Sequence, residues 1–272
     1  MRRVLIATLV LATPAAAQAP QPPEEENPCL TDRARFLRCP DLRMAPPHGL
    51  YPDLVTKPGR ILLRAGNSID SIGRGPAELH GVRIGRRYMR GRQRIYRRAG
   101  GRIGIRTGAR IFFKFVPGQT FYWKFQNAAR FELWRLDRDG FRQEFVRRGP
   151  KVSYCLRDLR LTHPRLPRSP RLRQYPGCST DPGAKRRTLG TSVGWSDVYP
   201  STYPEQWLDG TGLRGCFAYV HEADPLNHLY ESNENNNEAQ VIVRLPYRRG
   251  RQRCPRARRI DDGGGQNGGG YG

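Results

Sequence analysis

The sequence predicts an all-β fold, a single β-sandwich domain with long loops that is disulfide-stapled, and three observations carry this. Short apolar alternations recur along the whole chain: RILLR from Arg60, ARIFFKFV from Ala109, ARFELWRL from Ala129, KVSYCLRD from Lys151, GCFAYVHE from Gly215 and AQVIVRL from Ala239. Each has strand length and turn residues at its ends, while no long segment keeps the 3.6-residue period of a helix. Six cysteines, Cys29, Cys39, Cys155, Cys178, Cys216 and Cys254, form an even set without the CxxC spacing of zinc sites.

In chain order, Arg2 and Arg3 precede an apolar run from Val4 to Ala12 and small residues at Ala15, Ala16 and Ala17. This is the pattern of a signal peptide over 1–19, too short to span a membrane. The expected destination is therefore secreted or periplasmic, where disulfides persist. An N-terminal stub over 20–38 follows, then one domain over 39–247, and a basic, Gly-rich disordered tail over 248–272, in which DDGGGQNGGGYG has nothing to pack. Cys29 with Cys39 and Cys155 with Cys178 are the short-loop pairings, and Cys216 with Cys254 is what remains.

Charge narrows the partners. The formal net charge is +24, and only Lys57, Lys114, Lys124, Lys151 and Lys185 are lysines, so the excess is arginine. Anionic polymers or proteins of the cell envelope or extracellular space are the expected partners by electrostatics alone. From Arg83 to Arg110, arginine alternates with Ile, Tyr and Gly, the pattern of solvated strand faces. Export argues against a nucleic-acid partner, and no transmembrane segment is expected after Pro20.

Asp139-Gly140, between FELWRLD and FRQEF, signals a hairpin turn. The proline- and arginine-rich stretch over 160–177 reads as a surface loop held by Cys155 and Cys178. GTSVG at 190–194 matches the G-x-S-x-G hydrolase elbow, but the WSDVYPSTYP that follows cannot start the helix this elbow needs, so Ser192 is a chance match.

Five ordered segments between Cys39 and Leu245 carry a more specific pattern: CPDLRMAPP, RILLRAGNSIDSIGRGPAELHG, RRGPKVSYCLRD, SVGWSDVYPSTYPEQWLDGTGL and HEADPLNHLYESNENNNEAQVIVRL. Together they resemble the catalytic domain of the lysyl oxidase family, in its bacterial branch. The resemblance implies a copper amine oxidase (protein-lysine 6-oxidase) that converts peptidyl-lysine or other primary amines to aldehydes, releasing ammonia and hydrogen peroxide. Its cofactors are copper and a lysine tyrosylquinone built from the chain itself. By position, the precursors fall on Lys151 and Tyr199.

The family's copper-ligand histidines precede an A-R-[YF]-E-L segment, intact here at 129–133. Counting back places the ligand positions at Thr120, Tyr122 and Lys124, or, with a one-residue slip, at Gln119, Phe121 and Trp123. Neither register holds a histidine. His48, His80, His163, His221 and His228 are scattered, with His163 and His228 expected at the surface and His221 in an apolar strand. The resemblance also implies a calcium site bridging the chain's two ends, from Asp41 and Leu42 with Glu231, Asn233, Asn236 and Asn237, where Asn233 replaces an acid.

The expectation is a catalytically impaired lysyl oxidase-like protein that binds or scaffolds anionic material. An active copper-dependent amine oxidase is the alternative. Lys124 is expected to take the metal's place by hydrogen-bonding Tyr199.

Overall fold

The computed structural model describes residues 26–248 and 253–256. The expected signal peptide, the start of the stub and most of the tail lie outside the described residues. Among those described there is one short 3-10 turn, Asp32–Phe36, and no α-helix; no helix is long and apolar enough to cross a membrane.

In chain order the strands are β1 (Leu37–Arg38), β2 (Leu42–Met44), β3 (His48–Asp53), β4 (Leu62–Ser71), β5 (Ala77–Arg83), β6 (Tyr88–Arg97), β7 (Arg102–Phe115), β8 (Phe121–Gln126) and β9 (Ala129–Leu136). They continue with β10 (Arg142–Arg148), β11 (Ser153–Tyr154), β12 (Arg160–Leu161), β13 (Arg186–Thr191), β14 (Trp195–Tyr199), β15 (Trp207–Asp209), β16 (Gly215–Ala223) and β17 (Glu238–Leu245). The fold is all-β, and every pairing is antiparallel.

One sheet runs β11-β8-β7-β6-β5-β13, with β1 on β6; a second runs β10-β9-β16-β17; a third centres on β4, which pairs with β14, β15, β2 and β3. All three contribute to one hydrophobic core: Leu79, Ile111 and Phe125 from the first, Phe131, Phe217 and Val243 from the second, Leu63, Ile69 and Leu208 from the third. The layered core of the sandwich is thus closed by a third sheet. β4 is buried at all ten of its residues because sheet partners and layers enclose it on every side, so its polar Asn67, Ser68 and Asp70 need internal hydrogen bonds. They obtain them: Ser68 Oγ and Ser196 Oγ donate to Asp70 Oδ1 at 2.6 and 2.7 Å, and Gln206 Nε2 donates to Asn67 Oδ1 at 2.8 Å.

The disulfides are Cys29–Cys39, Cys155–Cys178 and Cys216–Cys254. The first ties the end of the stub to β1, which pairs with β6, so the ordered domain begins before residue 39. The second anchors the proline- and arginine-rich loop, which Trp195 Nε1 also holds by donating to Pro170 O at 2.8 Å. The β9–β10 hairpin turns through Asp137–Phe141 rather than two residues alone; Asp137 Oδ1 accepts from the Asp139 and Phe141 amides, and Gly140 takes φ +90°.

GTSVG ends β13 and turns into β14. Ser192 Oγ donates to Asp158 Oδ2 at 2.7 Å, a structural bond. Gly194 has φ +79°, and a Cβ there would lie 2.5 Å from His163 O, so this glycine serves the close approach of the loop.

Candidate functional site

Lys124 lies on β8, and Lys151 sits just before β11, which pairs with β8 through Tyr154 and Phe125. Tyr199 ends β14, and a turn then presents Tyr203 and Glu205, with the Tyr203 amide donating to Pro200 O at 3.0 Å. Asp197 stands two residues before Tyr199 on the same strand, so both point to one face. The edge of the first sheet and the β14 strand of the third thereby enclose two amines, three phenols and a carboxyl.

Lys151 is fully buried. Its Nζ lies 3.8 Å from the centre of the Tyr199 ring, 3.9 Å from that of Tyr203 and 4.5 Å from that of Tyr154, and it makes no hydrogen bond. Lys124 is also buried and donates from Nζ to Tyr203 Oη at 3.2 Å, while its Nζ is 5.9 Å from the Tyr199 ring centre. The hydrogen bond expected to Tyr199 thus goes to Tyr203, because the turn after β14 brings that phenol over β8. Tyr199 Oη instead accepts from the Cys155 amide at 3.4 Å. Lys114 ion-pairs with Glu205 at the rim.

These surroundings set the charges. Burial, then the charge of Lys124, pushes Lys151 well below the ordinary lysine range, against the pull of Asp197 and Glu205. Burial lowers Lys124 to about 8, with Glu205 opposing. Burial raises the Asp197 carboxyl, and Arg157, Lys151 and Lys124 hold it down. Burial and then Asp197 push the Tyr199 phenol well above its ordinary value, so it stays protonated near neutral pH. The arrangement is a shielded amine, held below its ordinary proton affinity, packed against phenols that resist ionisation.

The positions that the resemblance assigns to the family's copper ligands carry side chains that do not suit copper. Thr120 is exposed in the β7–β8 turn, where the Val116 amide donates to its carbonyl; Tyr122 is half-buried on β8, and Lys124 points into the cluster. In the slipped register, Gln119 is an exposed turn residue and Phe121 and Trp123 are aromatic contacts of Phe113. A hydroxyl, a phenol and an amine offer none of the imidazoles that suit Cu(II), and a protonated lysine repels a cation.

The histidines form no ligand group at this cluster: His48 lies on β3 beside the backbone of Tyr199, and His228 faces Phe125 at a ring-centre distance of 6.4 Å. His221 is buried on β16 and stacks on Phe131 at 3.7 Å; burial first, then His48, lowers it well below its ordinary value. His163, expected at the surface, is half-buried and bonds Asp70 Oδ2 at 3.1 Å. Among the described residues, no three His, Cys, Asp or Glu side chains group to hold a metal ion.

Around Glu231, most of the residues expected from sequence to hold a cation come together. Glu231 Oε2 accepts from the Leu42 amide and its Oε1 from Asn237 Nδ2 at 3.0 Å; Asn236 Nδ2 donates to Asp41 Oδ1 at 2.8 Å. Asn233 turns aside to cap the Asn235 amide at 3.0 Å. Two acids not anticipated from sequence act on Glu231 without completing a ligand group: Glu234 Oε1 accepts from the Glu231 amide at 3.0 Å, and burial, then the charges of Asp224 and Glu234, pushes Glu231 well above the carboxylate range. Asn236 Oδ1 and Asn237 Oδ1 are buried without hydrogen bonds, and carboxyl and amide oxygens are the donors a hard cation takes.

Asp197, Tyr203, Glu205 and Lys114 were not singled out from sequence. The alternation of WSDVY would have paired Asp197 with Tyr199; Tyr203 and Glu205 lie in an irregular turn that periodicity cannot orient.

Fold and site define an all-β, disulfide-linked protein built around a buried amine–phenol cluster. Compared with known protein families and with curated proteins, the chain matches none.

Proposed function

We propose that this is an exported, lysyl oxidase-like protein that lacks a working copper centre and acts as a binding or scaffold protein for anionic envelope or extracellular material. The observation that carries this is the Lys124 side chain, buried beside the Lys151–Tyr199 pair and bonded to Tyr203. An amine there opposes metal capture, and the raised Tyr199 phenol opposes the ionisation that its oxidation requires. The net charge of +24 supplies the affinity for polyanions. The test pairs two assays on protein from copper-supplemented cells: no hydrogen peroxide is released with a simple primary amine, and retention on a sulfated matrix falls as salt rises. Peroxide release would overturn the reading.

The closeness of Lys151 Nζ to the Tyr199 ring favours the second reading, an active amine oxidase working through a Lys–Tyr quinone. The donor set around Lys124 weighs against it.

Calcium belongs to this proposal as a structural ion. Asp41, Glu231, Asn236 and Asn237 would hold it, and its charge would offset the burial and the neighbouring Asp224 and Glu234 that push Glu231 above the carboxylate range.

A further inference from the structure

The arginines that sequence alternation assigns to solvated strand faces come into register on one sheet face. β6 alternates buried Met89, Gly91 and Gln93 with outward Arg90, Arg92 and Arg94; β7 buries Ile105, Thr107, Ala109 and Ile111 and turns Arg106 and Arg110 outward. Cross-strand pairing sets Arg90 opposite Arg110 and Arg92 opposite Arg106. The row continues through β5, where Val82 faces Arg90 and His80 faces Arg92, to β13, where Arg186 faces Val82 and Thr188 faces His80.

Directly opposed like charges in a sheet are unfavourable. Glu78 is the acid of this face, and it is already taken by Arg94 Nη1 at 2.9 Å and by the Tyr96 and Tyr175 hydroxyls at 2.8 and 2.5 Å. Among the described residues, Arg90, Arg92, Arg106, Arg110 and Arg186 make no ion pair. The accumulated charge registers on His80, which burial and then Arg94, Arg186 and Arg102 lower from its ordinary value, Glu78 opposing. At the β13 edge the face opens into a cleft between His80, Arg186 and Thr188 on one side and Pro176–Ser179 on the other.

We infer that the outer face of β13-β5-β6-β7 is the docking surface for a linear anionic polysaccharide, its carboxylate or sulfate groups held by Arg90, Arg92, Arg106, Arg110 and Arg186. This rests on the anionic-partner reading above and gives it a place and a chemistry. Neighbouring strands stand about 4.8 Å apart, so the array offers a repeating series of guanidinium forks across the strands, and each fork matches a planar carboxylate or a sulfate edge. The array positions themselves carry no aromatic side chain, but Tyr88, stacked on Phe112 at a ring-centre distance of 6.5 Å, and Tyr96 flank them in the same outward row, so the choice of a polysaccharide over a nucleic acid follows from the exported-protein reading and is tested by the DNA arm below. A bound polyanion also removes the repulsion between the opposed arginine pairs.

The experiment measures binding of the full chain to dextran sulfate, polygalacturonate, uncharged dextran and duplex DNA over a salt series. The comparison is between R90S/R106S/R110S and a control with equal charge loss in the 160–177 loop, R165S/R168S/R171S. The inference expects tighter binding to one or both anionic polysaccharides than to DNA at equal salt, and the sulfate and carboxylate arms tell which group is read. It expects the face variant to lose about tenfold or more in affinity and to flatten the salt dependence, the control losing much less. In the unmodified protein, the polysaccharide protects Arg90, Arg106 and Arg110 from phenylglyoxal, a readout independent of any variant's folding. Equal losses in both variants, or no protection, overturn the docking face while leaving an anion-binding protein. Stronger binding to DNA overturns the partner class. Failure of the unmodified protein to bind either polyanion removes the underlying reading itself.

Discussion

Lys151 Nζ stands 3.8 Å from the centre of the Tyr199 ring with no hydrogen-bond partner, a primary amine buried among phenol rings. Segments 48 residues apart in sequence meet because β11 docks on β8 and β14 docks on β4, and the Cys155 amide then bonds Tyr199 Oη. Such an arrangement costs stability and is kept rigid by its surroundings.

Replacing Lys151 with methionine stabilises the fold at neutral pH, because methionine fills similar volume without an amine to desolvate. The sign follows from the lowered lysine. Between its lowered folded value and the unfolded value of 10.5 the unfolded chain holds a proton that the folded chain releases, so over that window the wild type gains stability as pH rises toward 10.5. Urea unfolding at pH 7 gives an advantage for Lys151→Met of about 1–3 kcal/mol, the cost of burying a polar group without a hydrogen bond. The advantage shrinks by pH 10. A loss of stability at pH 7 would contradict the account of a cost-bearing amine.

Asp224 gives the opposite slope. Burial raises it to about 7 from 3.8, with the Leu229 and His228 amides opposing, so between those values the folded protein binds a proton that the unfolded chain has lost. Stability conferred by this proton is present at low pH and declines as pH rises toward 7. With calcium chelated, the wild type loses stability relative to Asp224→Asn over that range by up to about 1.4 kcal/mol per pH unit. Parallel pH profiles would contradict it.

Millimolar calcium raises the melting temperature by several degrees, an effect that Glu231→Gln abolishes. Without calcium the variant differs from the wild type by no more than about 1 kcal/mol, because glutamine keeps an oxygen to accept from the Leu42 and Asn237 N–H groups and removes the carboxyl that burial penalises. Thermal melts of both proteins with and without the ion check this, and an unchanged wild-type melt would remove the structural calcium.

Removing the Cys155–Cys178 bridge, with both residues changed to alanine, costs about 3 kcal/mol for its 23-residue separation. It also frees the 160–177 loop, so limited trypsin digestion moves to Arg165, Arg168 and Arg171. An unchanged cleavage map would show that Asp158 and Trp195 hold the loop without the bridge.

The strands were legible because alternation is local: AQVIVRL and ARFELWRL became β17 and β9 within a residue or so. KVSYCLRD was less so; only Ser153 and Tyr154 pair, since the Asp158 amide donates to Tyr175 O in the 160–177 loop and Leu156 O accepts from the Gly190 amide of β13. The third sheet could not be read from pattern, as the fully buried β4 mixes polar with apolar residues along its length. At the site, the sequence brought Lys124, Lys151 and Tyr199 to notice. That Lys124 bonds Tyr203 depends on a turn conformation no periodicity encodes, and the convergence of Asp224 and Glu234 on Glu231 arises from burial that no local pattern records.

The most direct test of the central claim is the copper and quinone content of the full-length protein purified from copper-supplemented cells, measured by metal analysis and redox-cycling quinone stain on the same sample. A chain whose Lys124 occupies the cluster carries copper far below one per molecule and no quinone signal. Copper near one per chain together with a quinone stain that Tyr199→Phe abolishes would contradict it.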